Sequence, residues 1–275
     1  MANNGSRFFL VSAVGILAGS PLAHAQTRLF PSAEPFEYPL GASRSSGVTG
    51  RLISERRLES LFGAEREADV SIGENVPVLA LSRSPRPSFL GLTIRVLGRF
   101  SLDDPKTALI SNDWVVGVHG VVDRGPWRVV GELYHESSHL GDEYAERFSS
   151  VGVRRLDWTR EVASVWVRRS IGPVALHLVT SYNLVDQFRL PRGALGFGVD
   201  YRSGRGVVRP VAGVYAESVQ YGGWKVTTTA RGGVEFQGAQ GKVALGLVYL
   251  NGLSQQRQFF RRQSRYYGFE LRFDF

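Results

Sequence analysis

Apolar and polar side chains alternate with a period of two along most of the chain, most clearly in its final segment. From Tyr267 to Phe275 the odd positions are aromatic or aliphatic, while the even positions are glycine, glutamate, arginine and aspartate. This period is the signature of a β-strand with one apolar and one polar face. Because the alternation recurs upstream in segments of about ten residues, an all-β fold is predicted.

Twelve alternating segments are found after residue 44, and short connections rich in turn residues mostly alternate with longer ones. The even count predicts an up-and-down antiparallel β-barrel, although ten or fourteen strands stay open because the first segment is the weakest. The predicted strands are 45–56, 68–82, 89–102, 112–123, 127–138, 158–169, 173–184, 193–203, 206–218, 224–237, 241–251 and 265–275.

The beginning of the sequence has the features of a secretory signal peptide. Arg7 precedes an apolar run from Phe8 to Ala18, and Ala23-His24-Ala25 provides a cleavage site before Gln26. The run is too short to cross a bilayer as a helix, and no later apolar stretch reaches 18 residues. A mature chain that crosses a membrane must therefore do so with strands.

The final residue adds a location. Alternation that ends on Phe275 resembles the C-terminal signal read by the outer-membrane barrel assembly machinery, which the resemblance makes an expected partner. We therefore predict a transmembrane barrel in the outer membrane of a Gram-negative bacterium, with its apolar face against lipid. The predicted divisions are the signal peptide at 1–25, a proline-containing periplasmic segment or lumen plug at 26–44, and the barrel at 45–275.

Charge and composition limit the classes of molecule that this protein is expected to bind. The net charge is +8, but only three of the 33 basic residues are lysines and the arginines are interleaved with acidic residues, which disfavours nucleic acid. The absence of cysteine excludes disulfides and thiolate metal sites. We expect the charges of the polar faces to point into the lumen and pair there. This predicted inward set is Arg95, Arg99, His119, Arg128, Glu132, His177, Asp200, Arg202, Lys225, Arg231, Glu235, Glu270 and Arg272.

A family resemblance rests mainly on the stretch from Tyr134 to Tyr144, which reads YHESSHLGDEY. Together with Leu29-Phe30-Pro31 and Ser111-Asn112-Asp113-Trp114, it resembles a family of bacterial outer-membrane barrels classed only as a domain of unknown function. The resemblance implies a location and an architecture, and it brings no activity.

The same stretch contains a zinc-protease pattern, H-E-x-x-H at 135–139. Zinc binding requires both histidines on one face of a helix, whereas four residues of strand separate them by roughly 13 Å. A zinc site would need 136–148 to be helical and to recruit Asp142, Glu143 or Glu146. A calcium site from Asp142, Glu143 and loop carbonyls is the other metal hypothesis, and no further cofactor is expected.

Strand parity favours a different chemistry. His135 and Ser137 share the parity of Trp127 and Leu133, so both are predicted to face lipid, where a polar pair is costly without partners or a function. The His-x-Ser arrangement resembles two outer-membrane lipid hydrolases, the phospholipase A and the lipid A deacylase, although Ser138 stands where both have asparagine.

This resemblance implies serine esterase chemistry on outer-membrane lipids. Ser137 would be the nucleophile and His135 the general base, with Glu161 on the next strand orienting the imidazole and Asp157 as the second choice. A bound calcium ion or the Gly141 amide could stabilise the oxyanion.

Two non-enzymatic hypotheses remain open at this point. His135, Ser137 and His139 could form a hydrogen-bond network that anchors a long loop on lipopolysaccharide headgroups. Alternatively, the arginine-rich lumen could form a narrow, anion-preferring pore.

Overall fold

The computed structural model describes residues 28–56, 65–81, 88–204, 206–238 and 241–274. The predicted signal peptide and Phe275 lie outside these residues. The described part contains one α-helix, α1 (Asp142–Arg147), and short 3-10 turns at Ser149–Val151, Gln220–Gly222 and Arg257–Phe259. Its strands are β1 (Arg28–Leu29), β2 (Gly47–Glu55), β3 (Glu65–Ala80), β4 (Phe89–Ser101), β5 (Leu109–Arg124), β6 (Trp127–Leu140), β7 (Trp158–Ile171), β8 (Val174–Asp186), β9 (Gly193–Arg202), β10 (Val208–Val219), β11 (Val226–Gln237), β12 (Lys242–Leu253) and β13 (Gln263–Asp274).

Strands β2–β13 form a closed antiparallel barrel. Each pairs with the next along the chain, and β13 closes the barrel by pairing with β2, with Phe269 opposite Leu52. The predicted twelve-stranded barrel is confirmed, and the predicted strand ends differ from the observed ones by no more than three residues. The two-residue strand β1 pairs with the end of β3, opposite Leu79 and Ala80. No helix among the described residues is long and apolar enough to cross a membrane.

The outer surface is apolar and the inner surface is charged, as the alternation predicts. On β4, Leu92 and Ile94 are exposed on the outside, while Arg95 and Arg99 are buried in the lumen. The inward charges pair with one another, as where the Arg99 guanidinium lies 2.8 Å from Glu67 and 2.9 Å from Asp69. Buried arginines with carboxylate partners close a barrel without leaving isolated charge.

Lys225 was predicted to face the lumen, and this prediction is wrong. Trp224 has a positive φ of 60°, and β11 begins only at Val226. Lys225 therefore precedes the strand and is exposed. The alternation of the sequence extends past the point at which the backbone stops being a strand.

Residues 35–46, which we call the lumen segment, lie inside the barrel. Phe36, Tyr38, Leu40 and Ala42 are buried. The Tyr38 hydroxyl donates to Glu132 at 2.7 Å, and the backbone N–H of Leu40 donates to the Asp200 carboxylate at 3.0 Å. The rings of Phe36 and Tyr38 also pack against Trp166, an inward residue of β7. The lumen is therefore filled by the chain itself.

The two ends of the barrel carry connections of different length. Short turns join β5 to β6 and β7 to β8 at one end, whereas residues 141–157 and 254–262 form long connections at the other. Outer-membrane barrels place the longer loops outside the cell, so Leu140 and Trp158 lie at the extracellular end. There Tyr144 of α1 packs among Ile110, Leu140, Val153 and Phe259, and burial raises the pKa of its phenol.

Candidate functional site

The site lies on the outer face of β6 and β7, at their extracellular end. In the antiparallel register, His135 is directly opposite Glu161, and Ser137 is opposite Thr159. His135 is exposed and Ser137 half-buried, whereas Glu136 and Ser138 between and beside them are buried in the lumen. The strand parity thus brings His135, Ser137 and Glu161 to one face.

A direct contact joins two of these three residues. His135 Nδ1 lies 2.7 Å from Glu161 Oε1, and 47% and 43% of the two side chains are exposed. Because Nδ1 already contacts the carboxylate, Nε2 is the ring nitrogen that could form a hydrogen bond with a hydroxyl group. Asp157, the second choice for this role, instead accepts a hydrogen bond from Gln187 Nε2 at 3.0 Å.

Ser137 lies two residues further along the same face. Among the described residues, no direct hydrogen bond joins its hydroxyl to the His135 ring, so the structure brings His135 and Glu161 into contact and places Ser137 beside them. Hydrogen bonds between catalytic groups often tighten only when substrate binds.

The surroundings of the site are apolar on the membrane side. His135 is flanked by Val116 of β5, and Ser137 by Trp114 of the same strand, both exposed on the outside. Next to Glu161, the pairing of β7 with β8 shifts by one residue, which marks a β-bulge. Bulges are frequent beside active sites because they redirect a side chain.

A buried charge cluster lies behind the site, on the lumen side. Glu136 is opposite Arg160, and their side chains approach to 2.6 Å. Arg257 of the 254–262 loop lies 3.0 Å from Glu136, and Arg44 of the lumen segment lies 2.6 Å from it. Arg44 also contacts Asp113 of β5 at 2.5 Å. We call Glu136, Arg160, Arg257, Arg44 and Asp113 the lumen cluster; it ties the strands of the site to the lumen segment and to one loop.

The geometry does not suit the zinc-protease pattern. His135 and His139 both lie in β6, and Glu136 between them points into the lumen. A zinc site would need residues 136–148 to be helical, but helix α1 covers only Asp142–Arg147. The Asp142 carboxylate, proposed for calcium, pairs with Arg155. In the described ranges, no group of three or more histidine and carboxylate side chains is arranged to hold a metal ion.

The Gly141 amide is not free for an oxyanion, because it donates to the Ile110 carbonyl at 2.9 Å. A residue that sequence reasoning missed is Asn112, which has the outward parity of Trp114 and lies opposite His139. Its Oδ1 atom is buried without a hydrogen-bond partner. The alternation of β5 could have identified this outward amide.

The closed twelve-stranded barrel, with its apolar exterior and filled, charged interior, defines an outer-membrane β-barrel protein of a Gram-negative bacterium. The chain belongs to the family described as "Protein of unknown function (DUF1207)", whose model matches residues 54–275. No curated protein matches the sequence significantly.

Two solved structures share the fold at low sequence identity, and a third is more distantly similar. Outer membrane phospholipase A from Escherichia coli is 12% identical, with a TM-score of 0.56 over 88% of this chain and 93% of that one. The phospholipase dimer with bound calcium from Salmonella typhi is 12% identical, with a TM-score of 0.59 over 89% and 95%. LpxR from Salmonella typhimurium is 13% identical, with a TM-score of 0.40 over 82% and 100%.

Proposed function

We propose that this barrel is an ester hydrolase acting on lipids of the outer leaflet, with Ser137 as nucleophile, His135 as general base and Glu161 as the residue that orients His135. The observation that carries the proposal is the contact between His135 Nδ1 and Glu161 Oε1 on the lipid-facing surface. Ionisable side chains are rare on such a surface unless they are paired or functional.

The chemistry follows the logic of the serine triad. Ser137 Oγ attacks the acyl carbonyl carbon while His135 Nε2 takes the hydroxyl proton. The tetrahedral intermediate expels the alcohol, which receives that proton from His135 and leaves an acyl-serine ester. Water, deprotonated by His135, then attacks this ester, releasing the fatty acid and restoring Ser137. Glu161 holds the proton of Nδ1 and stabilises the imidazolium that forms twice in the cycle.

The position of the site supports an outer-leaflet acyl ester as substrate. His135 and Ser137 lie at the extracellular end of β6, so a lipid can reach them sideways from the membrane. The shared fold with structures of outer membrane phospholipase A is consistent with acyl-ester chemistry on phospholipid or lipopolysaccharide. One of those structures contains calcium, so the activity is to be measured with and without this ion.

The lumen supports the pore hypothesis less well. A cavity of about 70 Å³ remains between the lumen segment and the strands, lined by Arg44, Arg95, Glu132 and Tyr134 among others. A space of this size holds only a few water molecules. Passage of ions would require the lumen segment to leave.

Acyl release tests the proposal. The mature chain, refolded in detergent, is offered phospholipid and lipopolysaccharide with or without calcium, and freed fatty acid is measured by mass spectrometry. We expect release by the natural chain and none by Ser137→Ala. Ser138→Ala is the matched control, because its side chain is buried in the lumen. No release from any lipid by a folded barrel would contradict the proposal and favour a role for His135 and Glu161 as an interfacial anchor.

A further inference from the structure

Aromatic side chains at the extracellular end of the barrel are accompanied by cations. Arg56 Nη2 donates to the Tyr267 hydroxyl at 2.8 Å, and its guanidinium carbon lies 5.1 Å from the centre of that ring. The Arg192 guanidinium lies 5.8 Å from the centre of the Tyr182 ring. Trp224 and Lys225 are adjacent, and both are exposed. We call these three the rim pairs.

The rim pairs stand where lipid headgroups meet the protein. Tyr267 and Tyr182 point outward near the extracellular ends of β13 and β8, and Trp224 precedes the extracellular end of β11. Aromatic rings of outer-membrane barrels lie at the boundary between hydrocarbon and headgroups. The Arg56 and Arg192 guanidinium groups beside the tyrosine rings are therefore held at headgroup level, and Lys225 follows Trp224 directly in the chain.

The charges of the rim pairs are not neutralised within the described part of the chain. No carboxylate there lies within ion-pair distance of Arg56, Arg192 or Lys225. Two other cations at the same end do have such partners, since Arg66 lies 2.6 Å from Asp103 and Arg147 lies 3.3 Å from Asp104. Stacking on a ring fixes a guanidinium without cancelling its charge, which leaves it available to an anion.

We propose that the rim pairs bind phosphate groups carried by the glycolipid of the outer leaflet. The ligand must be anionic, because unpaired cations select it, and it must be held at the membrane surface, because the aromatic rings lie there. A guanidinium matches phosphate oxygens with two parallel hydrogen bonds, and the aromatic ring packs against the adjoining sugar or acyl chain. Phosphorylated lipopolysaccharide at the extracellular surface meets both requirements. This binding does not depend on hydrolysis at Ser137.

The opposite rim offers a matched control. The Arg169 guanidinium lies 5.0 Å from the centre of the Trp127 ring at the periplasmic end, facing the inner leaflet. Arg124 is also exposed near that end, and Arg209 is half-buried there. A triple variant Arg169→Gln, Arg124→Gln and Arg209→Gln removes as much charge as Arg56→Gln, Arg192→Gln and Lys225→Gln.

The test measures lipid retained by the refolded full barrel in detergent, by native mass spectrometry. The probes are lipid A with both phosphates, lipid A without phosphates, phosphatidylglycerol and inorganic phosphate as competitor. We expect the extracellular triple to lose about tenfold or more of its affinity for phosphorylated lipid A, and the periplasmic triple to lose little. Heat-dependent gel mobility shows that each variant is folded.

Several outcomes overturn the proposal. Equal losses in the two triples would show an unspecific charge effect, and equal binding of dephosphorylated lipid A would show that the phosphates are not recognised. Tighter binding of phosphatidylglycerol than of lipid A would assign the rim to phospholipid, and competition by millimolar inorganic phosphate would indicate a soluble anion. The comparison of the two triples is repeated in the Ser137→Ala background, which cannot hydrolyse the probe by the proposed mechanism. The same selective loss in the extracellular triple separates this inference from the proposed hydrolysis.

Discussion

Glu161 occupies the position from which a carboxylate can select the working tautomer of His135. When Nδ1 carries the ring proton and donates it to Glu161 Oε1, Nε2 keeps the lone pair that the proposed mechanism uses as a base. A neutral amide at the same place can donate to Nδ1 instead, which moves the ring proton to Nε2 and removes the base.

The residue-scale prediction follows from this tautomer argument. We expect Glu161→Gln to lower kcat for acyl release by about 10²–10⁴-fold with little change in KM, because substrate binding does not involve this carboxylate. Initial rates of fatty acid release measure both constants. Asp157→Asn is the control, since Asp157 bonds to Gln187 and not to His135. An unchanged kcat in Glu161→Gln would remove Glu161 from the mechanism.

Much of the candidate site was accessible from the sequence, because parity and register are local properties of two adjacent strands. Counting across one hairpin is enough to place Glu161 opposite His135. The occupation of the Gly141 amide by the Ile110 carbonyl depends instead on a contact with β5, about 30 residues away along the chain, which neither property predicts.

At the level of strands, alternation predicts elements well because lipid on one side and a charged lumen on the other select different residues at every step. The prediction of strand bounds is less accurate where a strand leaves the boundary between lipid and lumen. Lys225 continues the alternation although the strand starts after it, and the one-residue shift beside Glu161 leaves no mark in the pattern. Backbone geometry at strand ends and bulges is decided by neighbouring loops and strands rather than by local parity.

The lumen cluster is expected to stabilise the strands that carry the candidate site. Glu136→Gln leaves Arg44, Arg160 and Arg257 facing one another without the carboxylate that they share. Breaking a buried ion pair by removing one partner costs about 3–5 kcal/mol of unfolding free energy. We expect a clearly lower urea midpoint for Glu136→Gln in detergent, followed by tryptophan fluorescence.

Glu143→Gln is the matched control for this experiment, because Glu143 lies on the exposed side of α1. It should unfold at the same urea concentration as the natural chain. Equal midpoints for the two variants would mean that the lumen cluster adds nothing to stability, and that the strands of the site are held by backbone pairing alone.

On the scale of the whole molecule, the segment that fills the lumen joins parts of the chain that are far apart. Tyr38 bonds to Glu132 over a separation of 94 residues, and Leu40 bonds to Asp200 over 160. The sequence left a periplasmic segment and a plug equally open, because Pro31, Pro35 and Pro39 indicate an extended segment without indicating what covers it. Only the closed barrel provides the inward charges that bind it.

Removing this segment should convert a closed barrel into a conducting one. A chain that starts at Ser43 retains every barrel strand but lacks Glu37, which lies 3.0 Å from Arg202 and also contacts Lys242. Arg202 and Lys242 then lose the carboxylate that they share, which adds positive charge at this level of the lumen. We therefore expect anion-preferring channels in planar bilayers, whereas the chain from residue 26 onward stays silent. Glu37→Gln is the control, because it removes the charge and keeps the segment.

If the truncated barrel folds and does not conduct, then the strand side chains alone must close the lumen. If the full chain already conducts, the segment must leave the lumen readily, and this result would support the hypothesis of a narrow, anion-preferring pore.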